Sequence, residues 1–255
     1  MTPELPPAGP AATPQPAEWD WLAPPGPALK ALRFALHLVN RALMRGLFRL
    51  SVDGLDRLPP STSSGLPRGE GPLVLVCNHA SDLDGPAVAA ALPWASVSRG
   101  WWGGENQRVF TRRARRLAAR VAHLFPVDDR ASGASLAPAL EVLRRGGLVV
   151  WFPEEWRSPD GTLQPFLTGV GWLVKETGAQ AVPVLIRGTF EALPRGRRLP
   201  RLRPLRVVFG APLEPETLEA SGEGKSPEAR IASALHAAVA ALGGEGGEGD
   251  WEGRQ

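Results

Sequence analysis

The stretch LVLVCNHASDLDGP, residues 73–86, decides how the chain is read. Leu73 to Cys77 form a continuous apolar run bounded by turn residues, the pattern of a strand covered on both faces. Asn78 and His79 follow at its carboxyl end. Ser81 and Asp82 then make a turn, and Asp84, Gly85 and Pro86 open a helix, where Pro suits the first turn. His79 is therefore expected at a strand tip and Asp84 at a helix amino end, five residues on. Open α/β sheets place ligands beyond the carboxyl ends of their strands. An imidazole there can take a proton from a hydroxyl near neutral pH. A carboxylate on its far nitrogen fixes the tautomer and stabilises the imidazolium that forms. Asp84 is expected in that second role, and Asp82, nearer in sequence, as a helix cap. A His and Asp at this spacing is weak by itself; the competing reading is a strand-end His bonded to a helix cap.

Further strands are expected at 50–54, 95–98, 121–127, 148–152, 181–186 and 205–209. Helices are expected at 136–143, at 167–177 with Gly178 as the stop, and at 227–242. Strands alternating with helices predict an α/β fold, a mostly parallel sheet flanked by helices, with an N-terminal amphipathic helix. No internal repeat, P-loop or GxGxxG fingerprint is present. The expected organisation is a Pro-rich disordered arm at 1–27, the amphipathic helix at 28–50, one domain at 51–242 and a Gly-rich tail at 243–255. Residues 59–72 read as a Pro, Ser and Gly linker.

Composition narrows the function classes. At 255 residues the chain can bury a sizeable core. Its single Cys, Cys77, excludes an internal disulfide framework and a Cys-rich metal site. The amino end lacks the basic-then-apolar order of a signal peptide, and no run of 18 apolar residues suits a spanning helix. The expected location is the cytoplasmic face of the cell membrane, peripherally bound.

Residues 28–50 give the reason for expecting a membrane. At 100° per residue, Leu29, Leu32, Leu36, Val39, Leu43, Leu47 and Leu50 fall within an arc of about 80°. Arg33, His37, Arg41, Arg45 and Arg49 occupy much of the opposite half. Such a helix can lie along a bilayer, with Leu in the acyl boundary and Arg near anionic headgroups. The alternative is an ordinary helix packed on the domain with a solvated basic face. Residues 99–120 combine a Trp pair, Trp101 and Trp102, expected as an exposed apolar tip, with an Arg-rich helix. No recognised nucleic-acid-binding module accompanies that patch, so nucleic acid is not an expected partner.

At the tip of the 148–152 strand stands PEEWRSPDG, residues 153–161. Arg157 suits bidentate binding of phosphate or carboxylate, and Glu154 can hold it or bond a substrate hydroxyl. The 121–127 strand likewise ends in Asp128, Asp129 and Arg130.

Taken together, NHASDLD at 78–84, FPVDDR at 125–130, FPEEWRS at 152–158 and VPVLIRG at 182–188 resemble, in order and spacing, the four blocks of the PlsC-like glycerolipid acyltransferases. The resemblance covers residues 48–210. It implies that His79 and Asp84 are the catalytic pair. It implies that Arg130 and the loop with Glu154 and Arg157 hold a phosphorylated glycerol acceptor, and that Pro183 shapes the site. It also implies an acyl-CoA or acyl carrier protein thioester as co-substrate, a lysophospholipid acceptor at a membrane surface, and no metal or other cofactor. In two places the chain departs from the pattern. Glu155 replaces the Gly that usually follows Phe-Pro-Glu, which costs stability if the position requires a positive φ, and its carboxylate repels a phosphate. The second block carries an additional Asp before Arg130. Two further readings stay open: an acyltransferase for a different lipid acceptor, and a non-catalytic peripheral lipid-binding protein.

Overall fold

The computed structural model describes residues 22, 25–59, 71–105, 113–127 and 136–244. The expected arm at 1–27, the 59–72 linker, the Arg-rich run at 108–112, the 128–130 tip with Arg130, and the tail at 243–255 lie wholly or largely outside them.

Among the described residues seven strands form one sheet: β1 (Ser51–Asp53), β2 (Leu73–Cys77), β3 (Gly100–Glu105), β4 (Leu124–Val127), β5 (Leu148–Trp151), β6 (Gln180–Arg187) and β7 (Arg206–Phe209), in the order β1-β7-β6-β2-β5-β3-β4. All neighbours are parallel except β6 and β7. The central β2 pairs with β5 on one side and β6 on the other, and every one of its side chains is buried. The chain leaves β2 toward β3, β4 and β5 and returns to β6 across it, so the strand order reverses at β2. The crevice above its carboxyl end is therefore a topological switch point.

Helices α1 (Pro27–Leu47) and α2 (Asp84–Ala91) cover one face of the sheet. On the other face lie α5 (Ala137–Arg144), α6 (Gly169–Thr177), α8 (Pro215–Ser221) and α9 (Pro227–Ala241). Gly178 ends α6 in the left-handed region at φ 63°, and Gly171 lets α6 approach α9 so closely that a Cβ there would stand 2.0 Å from the Glu228 carbonyl.

Short elements depart from expectation. Residues 94–97 form a helix, α3 (Trp94–Val97), where a strand was expected at 95–98; a four-residue apolar run carries no period that separates the two. Helix α4 (Arg113–Ala122) runs on into the segment expected as strand from 121. The Trp pair is not an exposed tip: Trp101 and Trp102 are buried in β3, and Trp101 stacks on His123 at 4.1 Å. Helices α7 (Thr189–Ala192) and α8 were not expected at all.

Helix α1 does not follow the packed alternative with a solvated basic face. Its Leu stripe does not pack on the domain, and part of its basic face does. Leu32, Leu36, Val39, Leu43 and Leu47 are 46–54% exposed, whereas Arg33, His37, Met44 and, just beyond the helix, Phe48 are buried. The inversion follows from the carbonyl ends of other helices. The Arg33 guanidinium donates to Val97, Ser98 and Val121 carbonyls at 3.0–3.4 Å, the ends of α3 and α4. Arg41 donates to Ala90 and Leu92 at the end of α2, and Asn40 to Pro86 within it. Helix carboxyl ends carry unpaired carbonyls and negative partial charge, so cations there satisfy both. Burial draws the Arg33 pKa down to about 10, which leaves it charged at neutral pH. Among the described residues no helix is long and apolar enough to cross a membrane.

Candidate active site

Strand β2 delivers Asn78 and His79 to the switch point, and Asn78 extends the pairing beyond the strand. Its amide accepts from the Ile186 N–H at 2.7 Å and donates to the Ile186 carbonyl at 3.0 Å. The tip of β6 is thereby fixed to the root of the His79 loop.

His79 Nδ1 lies 2.9 Å from Asp84 Oδ2, and the same oxygen accepts the backbone N–H groups of Ala80 at 2.7 Å and Ser81 at 2.8 Å. Asp84 is fully buried at the first residue of α2, where the helix dipole favours a carboxylate. Three donors converging on one oxygen hold it in a single position. The His79 side chain is 22% exposed and its ring leans on Phe152 at 4.5 Å between centroids. With Nδ1 committed to Asp84, Nε2 is the nitrogen left for a substrate proton.

The loop after β5 grips the His79 backbone at both polar atoms. Glu154 Oε1 accepts the His79 N–H at 2.8 Å, and the His79 carbonyl accepts the Ser158 N–H at 2.8 Å. Glu154 Oε2 accepts the Gln164 N–H at 3.2 Å. Both oxygens of this buried carboxylate thus serve backbone donors. Burial pushes its pKa up to about 7, against the pull of the two N–H groups. Arg157 Nη1 donates to Asp82 Oδ2 at 2.6 Å and clips the same two loops together nearer solvent. Asp82 is therefore not the cap of α2: that end has no side-chain cap, and the Ser81 hydroxyl accepts from Leu83 N–H while donating to the Leu193 carbonyl.

Glu155 adopts φ 64°, the left-handed region that favours glycine, and its side chain is exposed. The conditional cost attached to that Gly-to-Glu departure therefore applies.

The structure brings together His79, Asp84, Glu154 and Arg157. Pro183 sits apart, buried within β6 opposite Val76 and packed on Gly210, four residues short of the strand end. Its carbonyl accepts the Gly210 N–H, so its missing N–H falls on that flank and takes nothing from the ladder with β2. Arg130 lies outside the described residues. Sequence reasoning gave no role to Asn78, Ser81, Ser158, Gln164 or Phe152. A polar Asn directly after five apolar strand residues was the available signal, since a buried amide there needs partners. Among the described residues no group of three or more His, Cys, Asp or Glu converges to hold a metal.

This architecture and these loops have counterparts. Residues 49–187 match the family model for acyltransferases. The chain is 28% identical over 166 residues to the chloroplastic 1-acyl-sn-glycerol-3-phosphate acyltransferase BAT2 of Brassica napus, covering 58% of this chain and 40% of that protein. It is 27% identical over 194 residues to a 1-acyl-sn-glycerol-3-phosphate acyltransferase of Chlamydomonas reinhardtii, covering 71% of this chain and 52% of that one. The chain thus spans about half or less of the length of these curated relatives. In fold it is similar to the 1-acyl-sn-glycerophosphate (LPA) acyltransferase PlsC from Thermotoga maritima, with a TM-score of 0.64 at 21% identity over 85% of this chain and 80% of that one. With its matched segment spanning β1 to β6 and both gripping loops, the chain belongs to the acyltransferase family.

Proposed function

We propose that the protein transfers a fatty acyl chain from a thioester of CoA or acyl carrier protein to the hydroxyl of a lysophosphatidic acid-like glycerolipid, with His79 as general base. The observation that carries this reading is the His79–Asp84 pair at 2.9 Å, with a partly exposed imidazole at the strand-order reversal. The names of the relatives supply the substrate class.

His79 Nε2 takes the proton as the acceptor oxygen attacks the thioester carbonyl carbon. The buried Asp84 carboxylate stabilises the imidazolium. The tetrahedral intermediate then collapses with cleavage of the C–S bond, and the proton on His79 passes to the departing thiolate. The ester and a free thiol are the products, and His79 returns neutral.

The acceptor and product are lipids, and α1 supports a peripheral position at a bilayer. Its bare Leu stripe next to the sheet face that carries α2 is a surface an acyl boundary would cover. The cytoplasmic face supplies the thioester donors.

One observation favours a less anionic acceptor. Arg157 is already paired with Asp82, and Glu155 adds an exposed carboxylate beside it. Offering the purified protein acyl-CoA and acyl carrier protein thioesters with a panel of lysophosphatidic acid, other lysophospholipids and lipid alcohols, then identifying products by mass spectrometry, tests both readings. Ester formation on lysophosphatidic acid supports the first, ester on a neutral or zwitterionic acceptor alone supports the second, and no ester on any acceptor rejects acyl transfer.

A further inference from the structure

Between α7 and β7 runs PRGRRLPRLRP, residues 194–204, with five Arg, two Leu and no acidic residue. Every residue from 195 to 203 is exposed, with Leu199 at 75% and Leu202 at 59%. Among the described residues none of the five guanidinium groups forms an ion pair. The loop nevertheless has a fixed shape. The Arg197 N–H donates to the Pro194 carbonyl, the Arg201 N–H to the Ala192 carbonyl at 2.7 Å, and Arg197 Nε to the Leu199 carbonyl at 2.8 Å.

Its two roots are tied to the two places that matter most. At one end the Leu193 carbonyl accepts the Ser81 hydroxyl at 2.8 Å, two residues from His79. At the other, the Leu205 N–H donates to the Phe48 carbonyl at 3.0 Å, directly beyond the end of α1. A basic, leucine-tipped loop therefore runs from the His79 loop to the carboxyl end of α1.

We propose that residues 194–204 are a docking surface for an anionic phospholipid bilayer, with Leu199 and Leu202 entering the acyl boundary while the five Arg side chains meet headgroup phosphates. The proposal rests on the membrane-bound reading of α1 and adds lipid selectivity to it. Charge complementarity selects the occupant: five guanidinium groups that form no ion pair among the described residues, in a stretch with no acidic residue of its own, attract a negative surface, and each basic side chain near such a surface strengthens binding several-fold. The exposed Leu pair and its continuity with α1 favour a bilayer over nucleic acid, for which the loop offers no aromatic ring to stack on bases.

The test is sedimentation of the full chain with vesicles of phosphatidylcholine alone and of phosphatidylcholine doped with phosphatidylglycerol. The wild type is expected to favour the doped vesicles. A variant carrying R197Q, R198Q, R201Q and R203Q is expected to lose about tenfold or more on doped vesicles and little on phosphatidylcholine. The corresponding four Arg→Lys changes preserve charge and the preference, which separates charge loss from misfolding. Equal binding of the wild type to both vesicles, or an undiminished preference in the Gln variant, overturns the loop proposal and leaves α1 docking intact. No vesicle binding by the wild type overturns both. Salt-sensitive retention on DNA without any vesicle preference also overturns the loop proposal.

Discussion

Glu154 Oε1 accepts the backbone N–H of His79 at 2.8 Å across 75 residues of sequence. A buried carboxylate therefore sets where the imidazole stands, acting through the main chain rather than on a substrate. Replacing Glu154 by Ala leaves two partly or fully buried N–H groups unpaired, those of His79 and Gln164, and is expected to cost about 2–4 kcal/mol of stability in urea unfolding.

The same carboxylate gives a pH signature. Folding raises its pKa from 4.5 to about 7, so the native state holds the proton more tightly than the unfolded chain. Its contribution is fully present below pH 4.5 and is lost as pH rises through about 7, a change of ~3 kcal/mol. His123 works in the opposite sense. Burial lowers its pKa from 6.5 to about 3, so its contribution is present above pH 6.5 and falls as pH drops toward 3. The two slopes oppose each other between about pH 4.5 and 6.5. Glu154→Gln removes one of them, and the stability of the variant relative to wild type is expected to climb between pH 5 and pH 7 in denaturant titrations.

Glu155 occupies the left-handed region without being glycine. Glu155→Gly should release about 1 kcal/mol of backbone strain, net of glycine's larger chain entropy, seen as a higher urea midpoint at unchanged m-value. The central strand, the His79 loop and the Gly-like demand at 155 were legible in the sequence because each depends on local chemistry: a continuous apolar run, its turn residues, a departure within a motif. The orientation of α1 was not. Periodicity reveals two faces of a helix but not which one is covered, and here the choice is made by the carbonyl ends of α2, α3 and α4. Val121, which Arg33 caps, lies 88 residues away. The grip of Glu154 and Ser158 on the His79 backbone was hidden for a related reason, since a main-chain N–H leaves no mark in composition. The Trp101–His123 stack turned an apparent surface tip into core by the same kind of distant contact.

That inversion separates stability from binding. Arg33→Met leaves the Val97, Ser98 and Val121 carbonyls without their charged donor and is expected to destabilise by about 3 kcal/mol. Leu36→Ser with Leu43→Ser, on the bare stripe, is expected to change the melting free energy by less than about 1 kcal/mol and to weaken sedimentation with phosphatidylcholine vesicles. The opposite pattern, with the Leu variants unfolding and the Arg33 variant stable, would show that the stripe is packed in solution.

The central claim is that His79 removes the proton from the acceptor hydroxyl while Asp84 holds it in place. The most direct measurement is the initial rate of ester formation by purified wild type, His79→Ala and Asp84→Asn on the best acceptor, with circular dichroism melts confirming that each variant is folded. His79→Ala is expected to drop by about five to six orders of magnitude in kcat and Asp84→Asn by about three to four. A folded His79→Ala protein that transfers acyl chains at the wild-type rate would contradict the assignment.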